Sequence, residues 1–283
     1  MTTVLDWVMG VQRLLREVLA TVCAAAAPAA RTEPGTSRGA PPGASAIEVR
    51  LCDTTVTLVI EAFGPSGPCF INLHENEQTS IAAARAVLGR SNGRLIRLCS
   101  RGRRHVIFWD GLRPHGFDPN RIFSDAGLQQ TLLQFASRTD AAFEAVRALR
   151  TQLLQLLAVG ANAPVVALHN NRGRGYTVLA YGAGKRYAGD CAARFVGRPA
   201  SPEEFFVVTQ TSWFERLHAQ GFNVVLQSPS AFDDGSLSVW CQHSGRSYIN
   251  VEARHGRLRA QQQMLAAVAA MAASSVMAPL TPP

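Results

Sequence analysis

From residue 47 onward, short runs of Val, Ile, Leu and Phe alternate with polar stretches rich in Gly, Asp, Asn and Ser. The runs "EVRLC", "VTLVIEAF", "CFINL", "RLIRLC" and "HVIFW" lie in the first half, and "APVVAL", "YTVLAYG", "FFVVTQ", "FNVVLQ", "LSVWC" and "SYINVEA" in the second. Each reads as a strand, and several are apolar throughout rather than at every other position, which marks strands buried on both faces. Between and after them, "TSIAAARAVLGR", "AAFEAVRALRTQLLQLLAVG" and "RLRAQQQMLAAVAAMAA" repeat apolar residues at helical spacing, the second ending at Gly160. Strands joined by helices predict the α/β class, with a mixed central sheet flanked by helices.

The pattern fails at both ends. Residues 24 to 46 are Ala, Pro, Gly, Ser and Thr with scattered charge, the composition of a linker that cannot bury a core. Ahead of them, Arg13 and Arg16 precede "EVLATVCAAAAPAA", similar to the cationic start, apolar stretch and small residues of a signal peptide. Residues 1–46 are thus expected to be a signal peptide and flexible linker, 47–272 a catalytic domain and 273–283 a disordered tail. A signal peptide places the protein in the periplasm or outside the cell; an amphipathic helix over the same residues places it in the cytoplasm. No apolar run has the 18 or so residues that a membrane span requires.

Composition narrows the classes further. With 283 residues, 47% of them hydrophobic, the chain can bury one large core. The net charge of +8 comes from arginine, Lys185 being the only lysine. Its densest run, "RLIRLCSRGRRH", has no nucleic-acid-binding signature beside it and reads as a solvated hairpin, so no nucleic-acid partner is expected. Six cysteines, at 23, 52, 69, 99, 191 and 241, form no CxxC pair and no zinc-finger spacing.

Candidate chemistry gathers where strands end. "CFINL" runs into His74, Glu75, Asn76 and Glu77 ahead of a helix, and the three-residue spacing lets His74 and Glu77 face one point. HxxE supplies an imidazole and a carboxylate, two of the three protein ligands of a hydrolytic zinc site. "PVVALHNN" delivers His169 from a second strand and "SYINVEAR" delivers Glu252 from a third. Alone, each would read as a surface or capping group. Ligands bind at the carboxyl ends of strands in open α/β sheets, so the three are expected to converge. In "RPHGFDPNRIF", Asp118 and Pro119 read as a turn that points Asn120 and Arg121 outward, and Arg121 is suited to a substrate carboxylate.

HxxE, Asp-x-Asn-Arg, a lone His after a strand and a late Glu, in that order, resemble the zinc carboxypeptidase superfamily. Locally they are most similar to its aspartoacylase/succinylglutamate desuccinylase branch. The resemblance implies zinc held by His74, Glu77 and His169, with Glu252 as general base and acid. It also implies Arg113, eight positions before Arg121, as the arginine that polarises the scissile carbonyl, and Asn120 with Arg121 as a carboxylate clamp. Two departures stand out: the branch has an Asp two residues before its second zinc His where this chain has Ala167, and only 283 − 252 = 31 residues follow Glu252, which implies a more open site.

The expected function is a zinc-dependent amide hydrolase, foremost a carboxypeptidase acting on a peptide or muropeptide with a free carboxylate. The alternatives are an N-acyl amino acid deacylase and a non-catalytic peptide-binding relative. Oligomeric state is not legible. A tyrosine assists in many members of the superfamily, but Tyr176, Tyr181, Tyr187 and Tyr248 cannot be ranked by sequence and read as core residues. Asn170 and Asn171 are expected to orient His169 or touch substrate. Asp233 and Asp234 read as a hairpin turn, and His105, His115, His218, His243 and His255 as surface residues.

Overall fold

The computed structural model describes residues 43–276, apart from 66, 136–137, 161–162, 173–174 and 198–200. The expected signal peptide, nearly all of the linker and most of the expected tail lie outside the described residues. Nine strands form one mixed sheet in the order β1-β2-β4-β3-β7-β11-β9-β10-β8. They are β1 (Ala44–Leu51), β2 (Thr54–Phe63), β3 (Cys69–Asn72), β4 (Gly93–Cys99), β7 (Val165–Asn171), β8 (Cys191–Phe195), β9 (Phe205–Val208), β10 (Asn223–Gln227) and β11 (Tyr248–Arg254). A separate antiparallel hairpin is made by β5 (Val106–Asp110) and β6 (Arg113–Phe117).

The middle of the sheet, β4-β3-β7-β11, is parallel throughout. Every residue of β3 and β7 is buried, as their unbroken apolar runs require. Helices cover both faces: α1 (Gln78–Leu88), α4 (Thr211–Ala219) and α6 (Leu258–Val276) on one side, α2 (Asp125–Phe135), α3 (Asp140–Ala158) and α5 (Leu237–His243) on the other. In α3, Val146, Leu149, Leu153 and Leu157 fall at helical spacing and are all buried, and the Thr139 hydroxyl accepts from Ala142 N at the first turn. The α/β class with a mixed sheet between helices is the one the sequence pattern predicts. No helix among the described residues is long and apolar enough to cross a membrane.

Several expectations are corrected. The run "RLIRLCSRGRRH" is no solvated hairpin: "RLIRLC" is a strand as expected, but β4 lies inside the sheet between β2 and β3, where its arginines bond to Glu61 and to the carbonyl of Leu156. "YTVLAYG" holds a 3-10 turn, Val178–Tyr181. "LSVWC" is helical, because the short α5 buries Leu237, Val239 and Cys241, an alternation that imitates a strand. Asp233 and Asp234 form no hairpin; they accept from Gly235 N and Ser236 N in side-chain turns that lead into α5. His115 is buried and stacks on Phe108 with ring centres 5.2 Å apart, rather than facing solvent.

Candidate metal and catalytic site

The β3 to α1 junction explains its crowded polar residues. Glu77 occupies the N-cap position of α1 but makes no side-chain cap bond. Asn170 Oδ1 takes the Ser80 N–H instead, at 2.9 Å, which frees the Glu77 carboxylate to face the sheet. Glu75 points the other way and accepts from the backbone N–H groups of Ser100 and Gly102, holding down the loop after β4.

His74, Glu77 and His169 meet in the interior. His74 Nδ1 lies 3.2 Å from Glu77 Oε1, His169 Nδ1 lies 3.2 Å from Glu77 Oε2, and the two Nδ1 atoms are 3.3 Å apart. Ligand atoms about 2.0–2.1 Å from a tetrahedral zinc stand about 3.3 Å from one another, so the spacing and the N/N/O donor set both fit such an ion. The remaining nitrogen of His74, Nε2, is 2.7 Å from Asp118 Oδ1. Donating its proton there leaves Nδ1 as a lone-pair donor toward the shared point.

Charge is concentrated at this place. Burial works against a protonated His74, but Asp118 and Glu77 outweigh it and hold its pKa above the ordinary imidazole value. Burial also opposes ionised Glu77 and Asp118, yet the adjoining imidazoles bring both well below the ordinary carboxylate range. Arg104, from the loop tethered by Glu75, donates to Glu77 Oε1 at 2.7 Å and lies 3.5 Å from Asp118 Oδ2.

Glu252 stands on the strand beside the triad. It is the register partner of His169 across the parallel β7–β11 pair, and alternation puts both side chains on one face. Asn171 Nδ2 and Asn250 Nδ2 donate to its two oxygens at 3.4 and 3.3 Å. Burial, reinforced by the Glu77 charge, raises its pKa against the pull of His169. A carboxylate so placed accepts a proton more readily than an exposed one and can return it.

A cleft of about 160 Å³ opens over this face, lined in part by His169, Glu252, Arg104, Asn120, Arg121 and Tyr248. Its outer wall is built by close backbone contact. A Cβ on Gly127 of α2 would stand 2.3 Å from Gly235 Cα, and one on Gly235 would stand 2.4 Å from Arg121 O. Asn120 Oδ1 accepts from Leu237 N at 3.1 Å, and Arg121 Nη1 lies 3.3 Å from Asp234 Oδ2.

No protein-family model matches the chain, and no curated protein sequence matches it. Solved structures to which it is similar include murein-tripeptide amidase MpaA from Escherichia coli O157, at 15% identity and a TM-score of 0.43 over 84% of this chain and 97% of that one. A succinylglutamate desuccinylase/aspartoacylase from Rhodobacter sphaeroides is similar at 12% identity and 0.42, over 81% of this chain and 65% of that one. An aspartoacylase family protein from Mesorhizobium loti is similar at 13% identity and 0.38, over 80% and 67%.

The geometry brings His74, Glu77, His169 and Glu252 together and sets Asn120 and Arg121 on the cleft wall. Arg113 is different: it begins β6 at an exposed position opposite Asp110 and is not among the residues lining the cleft. The hairpin turn carries it outward, whereas Arg104 lines the cleft. Ala167 is buried in β7 and offers no carboxylate. Asp118 supplies one from a distant loop, and to His74 rather than His169. Asn170 lies on the opposite face from His169, where its amide ties β11 and α6 through Ala253 O and Gln261 Oε1. All four candidate tyrosines line the cleft, with the Tyr176 and Tyr181 hydroxyls 2.9 Å apart.

Sequence reasoning missed Arg104 and Asp118 as site residues. Arg104 was hidden in a run of arginines. Asp118 gave a partial signal as the Asp of the Asp-x-Asn-Arg segment, although its side chain also caps the following turn by accepting from Asn120 N at 2.9 Å.

Proposed function

We propose that the chain is a zinc-dependent amide hydrolase of the zinc carboxypeptidase type, acting on a peptide or N-acyl amino acid with a free carboxylate. One observation carries the reading: a buried His/Glu/His donor set with zinc-like spacing has a second, separately buried carboxylate, Glu252, on the adjoining strand. A protein that only binds peptides has no use for that carboxylate.

His74 Nδ1, Glu77 and His169 Nδ1 would hold the ion, and zinc bound there supplies a Lewis acid and an acidified water. Asp118 keeps His74 in the ligating tautomer. Glu252, its pKa raised by burial, takes a proton from the attacking water and passes it to the leaving nitrogen. Arg104 faces the cleft beside Glu77 and is the cation placed to stabilise a developing oxyanion. Asn120 and Arg121 on the wall receive the substrate carboxylate.

The test is metal analysis of chelator-free protein, followed by a screen of peptides, muropeptides and N-acyl amino acids. About one zinc per chain and cleavage of an amide next to a free carboxylate are expected. Protein without metal refutes the site. Cleavage confined to N-acyl amino acids makes the enzyme a deacylase.

A further inference from the structure

Two buried side-chain atoms in the cleft have no partner among the described residues: the amide nitrogen of Gln227 and, beside Glu252, the amide oxygen of Asn250. Both residues line the cleft, and they are only 6% and 7% exposed. A buried polar group left without a hydrogen bond is unfavourable, so a pair of them in one cleft points to a ligand that supplies the missing bonds.

Alternation along β10 puts Gln227 on the same face as Val225. Opposite it the β8–β10 register slips between Leu226 and Gln227, with Ala192 of β8 as the extra residue. Gln227 is then paired with Cys191, next to Asp190. Asp190 is pinned there, its carbonyl accepting from Ser228 N at 2.9 Å and its carboxylate from Phe232 N at 3.2 Å. Asp190 lines the same cleft.

These two neighbours exclude charged partners from opposite directions. An ammonium group presents only donors, so it can meet the Gln227 amide oxygen but leaves the amide N–H groups without an acceptor. A carboxylate satisfies them but meets the negative charge of Asp190. The group that fits both is neutral and offers acceptor and donor together. A primary carboxamide does so, and it pairs with Gln227 in either orientation of the glutamine amide.

Register gives the reach. Glu252 is level with Phe205 on β9, Phe205 with Asn223 on β10, and Gln227 is four residues farther on. At about 4.8 Å between strands and about 3.3 Å per residue, the α-carbons of Glu252 and Gln227 stand roughly 16 Å apart.

We propose that the Gln227 end of the cleft is a side-chain pocket for a primary carboxamide, with Gln227 as the specificity-determining residue. Its use in catalysis rests on the hydrolase reading; its preference as a binding pocket does not. The test is therefore binding of free L-glutamine, L-glutamate, L-lysine and L-leucine to the zinc-loaded protein, followed by NMR or calorimetry, with peptide hydrolysis measured separately. Glutamine is expected to bind at least about tenfold more tightly than the other three, since a site built around hydrogen bonds rejects analogues that lack them. Gln227→Leu should abolish that preference and raise affinity for leucine, while Gln227→Glu should move it toward lysine. Melting temperatures close to wild type establish that both variants fold. Equal affinity for the four amino acids, no saturable glutamine binding, or an unchanged preference in both variants overturns the pocket. Selective binding without hydrolysis of any peptide leaves the pocket standing and refutes the enzyme.

Discussion

His74 Nε2 and Asp118 Oδ1 are 2.7 Å apart although 44 residues separate them in the chain. The contact joins the end of β3 to the 3-10 turn Pro119–Arg121, so one carboxylate bonds a proposed metal ligand and starts the turn that carries Asn120 and Arg121. Asp118→Ala removes the first duty without touching a ligand. Zinc affinity, measured by competition with a chromophoric chelator, should fall about 10- to 100-fold. An unchanged affinity would show that His74 needs no partner.

The two buried glutamates should separate cleanly. Glu252→Gln keeps shape and hydrogen bonding but removes the base, and kcat should fall by about 10²- to 10⁴-fold with normal zinc content. Glu77→Gln should lose zinc first and activity with it. Loss of zinc from both variants alike would contradict the division of labour.

Arg104 and Arg113 offer a paired comparison. Arg104→Ala should lower kcat by about 10²-fold, the scale of one lost oxyanion donor. Arg113→Ala, at an exposed hairpin position, should stay within about twofold of wild type. The reverse ranking would return the catalytic arginine to β6.

Acid should compete with metal. The raised pKa of His74 means that the folded site binds a proton more tightly than a free imidazole does, and zinc must displace it. As pH falls, apparent zinc affinity should begin to drop above the ordinary imidazole value of about 6.5. The loss should then approach tenfold per pH unit. Affinity flat down to pH 5, in titrations at fixed free zinc, would exclude this coupling.

Arg121→Ala should raise KM for substrates with a free carboxylate and leave their amidated counterparts little changed. Equal losses on both would make the arginine structural, serving Asp234 alone.

The central strands were legible because β3 and β7 are buried on both faces and open on unbroken apolar runs, CFI and VVAL, while β11 keeps Tyr248, Ile249, Val251 and Ala253 buried around its polar residues. Where a segment is half exposed, the signal weakens: β8, "CAARF", has no fully buried residue, and β6 holds a proline and a glycine. The amphipathic α4, "TSWFERLHA", buries only Trp213 and Leu217 and left too faint a stripe. The ligands were legible because the fold delivers each from the end of a strand. Arg104 was not, since nothing local distinguishes it from Arg101 or Arg103; a tether 27 residues away, from Glu75 to Gly102, decides which arginine turns inward.

The paired glycines on the outer wall constrain how this cleft can diversify. With Gly127, Gly235 and the carbonyl of Arg121 already in backbone contact, a side chain at either glycine has no space, and making room would part α2 from the loop that carries Asp234. That separation would also shift Arg121, so this wall cannot be reshaped in small backbone steps without disturbing the carboxylate end. On the hydrolase reading, a change of substrate preference falls to the side chains that line the cleft, such as Ser236, Ser238 or Gln227, on a frame whose outline stays fixed.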